Sequence, residues 1–131
     1  MPSTPVVMLT RGVPDPCHTF EITAVLTPEA VIRGAGEIAT DARVALVDSR
    51  TMHDRPAIVA TLLLWNSGLA VVVGDPSRVP DDLVTPIDAY MAAAEAEGKR
   101  VQTELLIMED AMHLYDDISE IARAFETYRA S

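Results

Sequence analysis

The sequence predicts a single α/β domain with a mixed, mostly parallel sheet of four to five strands, an N-terminal β-hairpin and about four helices. Short runs such as residues 43–47 (RVALV), which are apolar after the first residue, and residues 69–73 (LAVVV) are typical of strands covered on both faces. Longer segments that start with helix-capping residues lie between these runs, and repeated strand–helix units indicate parallel strands with right-handed crossovers. We treat residues 1–131 as one domain, because this length suits about one domain.

The N-terminal part predicts two strands and a helix. Residues 6–10 are apolar, residues 19–26 (TFEITAVL) are rich in β-formers, and the RGVPDP segment between them marks a loop. We interpret the two strands as a hairpin. A threonine, a proline and a glutamate at residues 27–29 then provide the cap and first turn of a helix that reaches about residue 40.

Residues 55–65 fit two structures. Asp54 as N-cap and Pro56 in the first turn favour a helix. The β-branched content and the Asn-Ser-Gly turn at residues 66–68 would also suit a hairpin into residues 69–73. We prefer the helix, because it places one helix between two buried strands.

The remaining elements follow the same alternation. The strand at residues 69–73 ends in Gly-Asp-Pro, and a helix runs from the Val-Pro-Asp-Asp segment at residues 79–82 to Glu97. Residues 101–108 form a strand, and a last amphipathic helix starts at Glu109 or Asp110 and continues through residue 128. The predicted order is β-β-α-β-α-β-α-β-α.

Charge and composition exclude several classes of function. The net charge of −10 opposes binding to nucleic acids and to anionic membranes, because both repel an acidic surface. Cys17 is the only cysteine, so no disulfide forms within the chain, and the N-terminus lacks the pattern of a secretory signal. We therefore expect a soluble cytoplasmic protein. Its acidic second half either meets a basic partner or is a solvated face.

The residues that could perform chemistry are few and scattered. Glu109, Asp110 and His113 lie close together, but first-turn acids and a histidine on a helix explain them without a metal. No serine lies in a Gly-x-Ser-x-Gly turn, and Asp48 lacks the acidic pair and the lysine that accompany a phosphorylated aspartate. We expect no catalytic residue, no metal and no cofactor. A small hydrolase-like enzyme that uses His53 or His113 remains a minor alternative.

A second alternative is a ligand-binding domain. Asp75, Ser77 and Arg78 follow the strand at residues 69–73, and ligands in parallel sheets usually bind at the carboxyl ends of strands. Arg78 is the only basic side chain in this loop, so the indication of an anion site is weak.

The layout resembles the STAS superfamily, the sulfate-transporter and anti-sigma-factor-antagonist type of domain. The resemblance rests on the opening strands, the helix that starts with Leu-Thr-Pro-Glu, the strand VALVD with its following helix, and the closing ELLIMEDAMHLYDDI. It implies a mixed sheet with helices largely on one side. It also implies a regulatory module that binds a protein, such as a kinase-like anti-sigma factor.

The phosphorylation motif of that family is altered here. Its Asp-Ser-Ser/Thr-Gly-Leu turn falls on Asp54-Arg55-Pro56-Ala57-Ile58, in which Asp54 and Ile58 match. Arg55 and a proline occupy the hydroxyl positions, and neither can accept a phosphate, while Ser49 and Thr51 lie in the preceding loop. We therefore expect a diverged member without a phospho-switch, whose partner contacts Asp54, Arg55 and Ile58.

The helix at residues 55–65 has apolar side chains around most of its circumference. Leu64 and Trp65 are included in the predicted partner surface, because a helix without a polar stripe is covered either by its own chain or by a second chain. Both options, cover within the chain and self-association as a homodimer, stay open at this point.

Overall fold

The structure, a computed structural model, describes residues 5–12, 21–34, 42–51, 54–98 and 105–130. Within these ranges one five-stranded sheet has the order β2-β1-β3-β4-β5. The strands are β1 (Pro5–Leu9), β2 (Glu21–Leu26), β3 (Val44–Asp48), β4 (Ala70–Gly74) and β5 (Leu105–Ile107). The helices are α1 (Pro28–Arg33), α2 (Arg55–Asn66), α3 (Asp81–Ala96) and α4 (Tyr115–Ala130). Short 3-10 helices span Ser49–Thr51, Pro76–Arg78 and Glu109–Leu114.

Every neighbouring pair of strands is parallel, so the predicted N-terminal hairpin is wrong and the α/β class is confirmed. Pro5 lies beside Glu21 and Leu9 beside Leu26, whereas a hairpin would pair Pro5 with Leu26. Residues 13–20, which connect these two strands, lie outside the described ranges. The Gly and Pro residues of the connection indicate a loop, but they do not fix the direction of the next strand.

The inner strands are buried on both faces. From Val6 to Leu9, and throughout β3 and β4, the residues lie inside the protein, in agreement with the apolar runs of the sequence. In β2, by contrast, exposed and half-buried residues alternate, which fits a strand at the edge of the sheet. Alternate residues divide the core into two clusters, one on each face of the sheet.

Three helices cover one face and α3 covers the other. The first cluster contains Val31 of α1, Leu62 of α2 and Ile118 of α4, and the second contains Val84 and Met91 of α3. The chain steps in the same direction from β3 to β4 and from β4 to β5, yet the intervening helices α2 and α3 lie on opposite faces. These two crossovers therefore have opposite hands, so the predicted right-handed crossover cannot hold for both of them.

Two ion pairs hold α3 on its face of the sheet. Arg43, which precedes β3, pairs with Asp88 of α3 at 3.9 Å and with Glu95 of the same helix. Since Arg43 is only about one-third exposed, its aliphatic stem also lies against the protein surface.

Residues 55–66 form a helix, as preferred from the sequence. The Asp54 side chain accepts a hydrogen bond from the Ala57 amide at 3.1 Å, and the chain turns after the helix at Gly68, whose φ is +100°. The hydroxyl of Thr61 is fully buried and donates to the Ala57 carbonyl at 2.9 Å, so this polar side chain is satisfied inside the core.

The apolar circumference of α2 is explained by its own chain. Leu64 is 0% exposed and Trp65 is half-buried against the first core cluster. Leu64 therefore has no surface to offer a second chain, and its assignment to a partner surface is wrong. Self-association through this residue is excluded in the folded domain.

The close approach of β4 to Met108 yields a stability test. A Cβ atom at Gly74 would lie 2.7 Å from the Met108 sulfur and 3.0 Å from its Cβ and Cγ. We expect Gly74→Ala to lower the free energy of unfolding by about 1–3 kcal/mol, as overpacking does in cores. Chemical denaturation measures the change.

Gly12→Ala is the matched control, because the nearest atom of the described residues, the Thr10 hydroxyl oxygen, would lie 3.7 Å from its added Cβ. We expect this control to change the unfolding free energy by less than about 0.5 kcal/mol. In the Met108→Ala background, Gly74→Ala should lower the free energy of unfolding by less than it does in the wild type, because the side chain that the new Cβ approaches is gone. A Gly74→Ala variant as stable as the control would contradict the described packing.

Candidate functional site

The carboxyl ends of the parallel strands gather polar side chains at one edge of the sheet. In this strand order β2 lies on one side of β1, and β4 and β5 lie on the other side of β3. The strand order therefore reverses between β1 and β3, and the carboxyl ends of these two strands form a topological switch point. Thr10 follows β1 and Asp48 ends β3 there, and both are buried, each 3% exposed. This is the position at which open α/β sheets most often hold a ligand.

Asp48 is fully engaged by the protein itself. Its carboxylate accepts the Thr10 hydroxyl at 3.0 Å, the Arg50 amide at 3.0 Å, and the Arg50 guanidinium at 2.9 and 3.0 Å. The Thr10 oxygen in turn accepts the Gly12 amide at 3.0 Å. These four donors match the roughly four lone-pair sites of a carboxylate. Asp48 therefore acts as a structural link between the ends of β1 and β3.

The predicted ligand residues Asp75, Ser77 and Arg78 lie together at the same edge, beyond β4. Asp75 accepts the Ser77 amide at 3.1 Å and its hydroxyl at 2.8 Å, and the Asp75 amide donates to Asp110 at 2.8 Å. The hydrogen bond from the Ser77 side chain lowers the pKa of Asp75, with smaller contributions from the nearby charges of Arg50 and Arg78. The Asp75 carboxylate and the Ser77 hydroxyl thus close the loop, and the Asp75 amide joins it to the 3-10 helix that follows β5.

The described residues give little support to metal or histidine chemistry. No group of three or more His, Cys, Asp or Glu side chains within them is placed to hold a metal ion. His113 is exposed on the 3-10 helix that precedes α4. Cys17, His18 and His53 lie outside the described ranges.

A groove between the start of α2 and the side of α4 brings together three predicted partner residues. Its volume is about 210 Å³, and its lining residues are Asp54, Arg55, Ile58, Asp117, Glu120 and Ile121. We call this feature the α2/α4 groove. The two isoleucines are its least exposed members, Ile58 buried and Ile121 half-buried, while the charged residues are exposed. The groove therefore combines an apolar floor with a charged rim.

The start of α2 is fixed by a surface ion-pair cluster. The Arg11 guanidinium lies 2.8 Å from Glu29 and 3.3 Å from Asp54, so it joins the first turn of α1 to the cap of α2. The hydrogen bond between Arg11 and Glu29 raises the pKa of Arg11 and lowers that of Glu29. Asp54 thus has two roles: it caps α2 and it faces the groove.

The α4 half of the groove was missed from the sequence. Glu120 and Ile121 lie three and four residues after Asp117, and both spacings place them beside Asp117 on one side of α4. Their acidic and apolar alternation was interpreted only as an amphipathic helix. The five predicted partner residues therefore separate: Asp54, Arg55 and Ile58 line the groove, Leu64 lies in the core, and Trp65 packs near the other end of α2.

The comparisons with known proteins give no relative. No family model matches the chain, and no match was found among curated proteins or solved structures. The STAS resemblance stays a prediction, and the assignment of a function depends on the geometry of this chain. No helix within the described ranges combines the length and the apolar character that a membrane span requires.

The Asp75–Ser77 hydrogen bond yields a pH test. Ser77→Ala removes the hydroxyl donor, so the pKa of Asp75 should rise towards its ordinary value of 3.8. A pKa lower in the folded than in the unfolded state stabilises the fold above the ordinary value, and this contribution is lost as the pH falls through the folded pKa. NMR titration of the Asp75 carboxyl in both proteins measures the shift.

Ser67→Ala serves as the control, because the Ser67 hydroxyl donates to the Leu63 carbonyl, at the end of α2. This variant should leave the Asp75 titration unchanged. An Asp75 pKa that is equal in the wild type and in Ser77→Ala would show that the hydroxyl does not hold this carboxylate.

Proposed function

We propose that this domain is a non-enzymatic protein-binding module, of the regulatory kind that its STAS-like layout implies, and that its partner binds in the α2/α4 groove. The observation that carries the proposal is that Asp54, Arg55 and Ile58 share one groove with three residues of α4. A kinase-like anti-sigma factor is the partner type that the resemblance suggests.

The size of the groove supports a protein partner over a metabolite. Pockets for small ligands typically measure about 300–1,000 Å³ and enclose most of the ligand. The α2/α4 groove is smaller, at about 210 Å³, and its charged rim is exposed. Such a groove has room for a single side chain that projects from a larger surface.

The proposal depends on the groove more than on the family. The parallel pairing of β1 with β2 departs from the hairpin on which the resemblance partly rested. The start of the helix after β3 is nevertheless where the resemblance places the partner, and Asp54 and Arg55 are exposed at this position.

The ligand-binding alternative has weaker support. The Asp48 carboxylate and the Asp75–Ser77 pair are occupied by internal hydrogen bonds, which leaves Arg78 as the exposed cation of the predicted loop. An anionic ligand at this loop would have to replace bonds that the fold already uses.

Site-specific photo-cross-linking in cells tests the proposed surface. A benzoylphenylalanine at Ala124, an exposed residue one helical turn after Glu120 on the same side of α4 and outside the lining of the groove, should give an adduct with another protein. The same residue at Asp82, an exposed acid near the start of α3 on the opposite face of the sheet, should not give that adduct. Mass spectrometry of the adduct identifies the peptide in contact with residue 124.

Equal adducts at both positions, or no adduct from residue 124 in a variant with wild-type circular dichroism, would contradict binding at the groove. An adduct made only of two copies of this chain would replace the regulatory partner with self-association.

A further inference from the structure

The charges around the α2/α4 groove are unbalanced. Asp54, Asp117 and Glu120 contribute three carboxylates to its lining, and Arg55 contributes the single cation. Asp54 is paired with Arg11, whereas no ion pair is found for Asp117 or Glu120 within the described part of the chain. The groove therefore has an uncompensated negative charge on its α4 side.

The floor of the groove has a different character. Ile58 and Ile121 form an apolar surface between the charged rims. A side chain that fits both features has an apolar stem and a cationic end. Arginine and lysine have this structure, and both bury their stems against apolar surfaces while the charged group stays at the rim.

Building on the proposed function, we infer that the partner inserts one arginine side chain into the α2/α4 groove. Its stem lies on Ile58 and Ile121, and its guanidinium reaches Asp117 and Glu120. Arginine fits better than lysine, because its planar group presents five N–H donors and can bind two carboxylates at once. Asp54 already binds such a group within this chain, at 3.3 Å from Arg11.

The charges of the lining residues predict which of them favour and which oppose binding of a cationic side chain. Arg55 carries the same charge as the inserted side chain and lines the same groove, at the start of α2. Removal of this charge should strengthen binding of a cation, and removal of the α4 carboxylates should weaken it. For an acidic side chain from the partner, the same substitutions would change the affinity in the opposite direction. The sign of each change in affinity therefore distinguishes a basic from an acidic occupant.

The inference is tested by NMR titration of the isotope-labelled full chain with the peptide acetyl-Gly-Arg-Gly-amide. We expect saturable shifts of the backbone amides of Ile58, Glu120 and Ile121. The matching peptide with citrulline, which has nearly the same shape and no charge, should bind at least about tenfold more weakly, because hydrogen bonds to charged groups are the stronger ones. A lysine peptide should fall between the two.

Charge variants complete the experiment. The double variant Asp117→Asn, Glu120→Gln should weaken binding of the arginine peptide about threefold or more, and Arg55→Gln should strengthen it. Asp82→Asn removes an exposed acid from the other face and should leave the affinity unchanged.

Three results would each overturn the inference: no saturable shift, equal binding of the citrulline peptide, or shifts spread evenly over the acidic surface. If the peptide fails while residue 124 still gives its photo-adduct, the groove binds a protein through some other side chain. If the adduct is absent as well, the proposed function fails with it.

Discussion

The fold depends on a sheet whose inner strands are buried on both faces. Side chains of β1, β3 and β4 alternate between two apolar clusters, so each face must be covered by helices. Polar groups on these strands are confined to the strand ends, as Thr10 and Asp48 show. A charge buried at such a position requires full hydrogen bonding, and the contacts of Asp48 with Thr10 and Arg50 provide it.

Because the polar side chains at the strand ends are used within the fold, the candidate binding surface lies on the helices and not at the carboxyl ends of the strands. At the carboxyl edge, the side chains that could receive a ligand are used to join β1 to β3 and β4 to β5. On the face of the sheet that α1, α2 and α4 cover, α2 and α4 pack over the same apolar cluster and leave a groove between them. Arg11 fixes the end of α2 that forms this groove, because it connects Glu29 with Asp54. The core thus sets the position of the groove, and exposed charges set its character.

Local features of the structure could be predicted from the sequence. The apolar runs identified β3 and β4, and Asp54 with Pro56 identified the start of α2, because capping and burial on both faces leave signals within a few residues. The direction of β2 could not be predicted, because the residues of a strand carry no local signal for whether it pairs parallel or antiparallel with its neighbour. The burial of Leu64 by its own chain could not be predicted either, because the sequence of an apolar helix is the same whether its own chain or a second chain covers it.

The α2 half of the groove could be predicted from the sequence, and the α4 half could not. Asp54, Arg55 and Ile58 follow a recognisable strand, and a family pattern placed a site on them. Asp117 and Glu120 belong to a helix far away in the sequence, and only the packing of α2 against α4 brings them near. The opposite hands of the crossovers through α2 and α3 are likewise a property of the whole sheet.

The parallel pairing of β1 with β2 is the central claim, because it separates this architecture from the hairpin that the sequence suggests. Paramagnetic relaxation from a nitroxide attached at Glu21→Cys measures it most directly, in a chain whose single native cysteine is replaced by Cys17→Ser. The structure pairs Val6 with Ile22 and Leu9 with Leu26, so the Val6 amide signal should be broadened much more than that of Leu9. Stronger broadening of Leu9 would indicate an antiparallel hairpin and would contradict the fold described above.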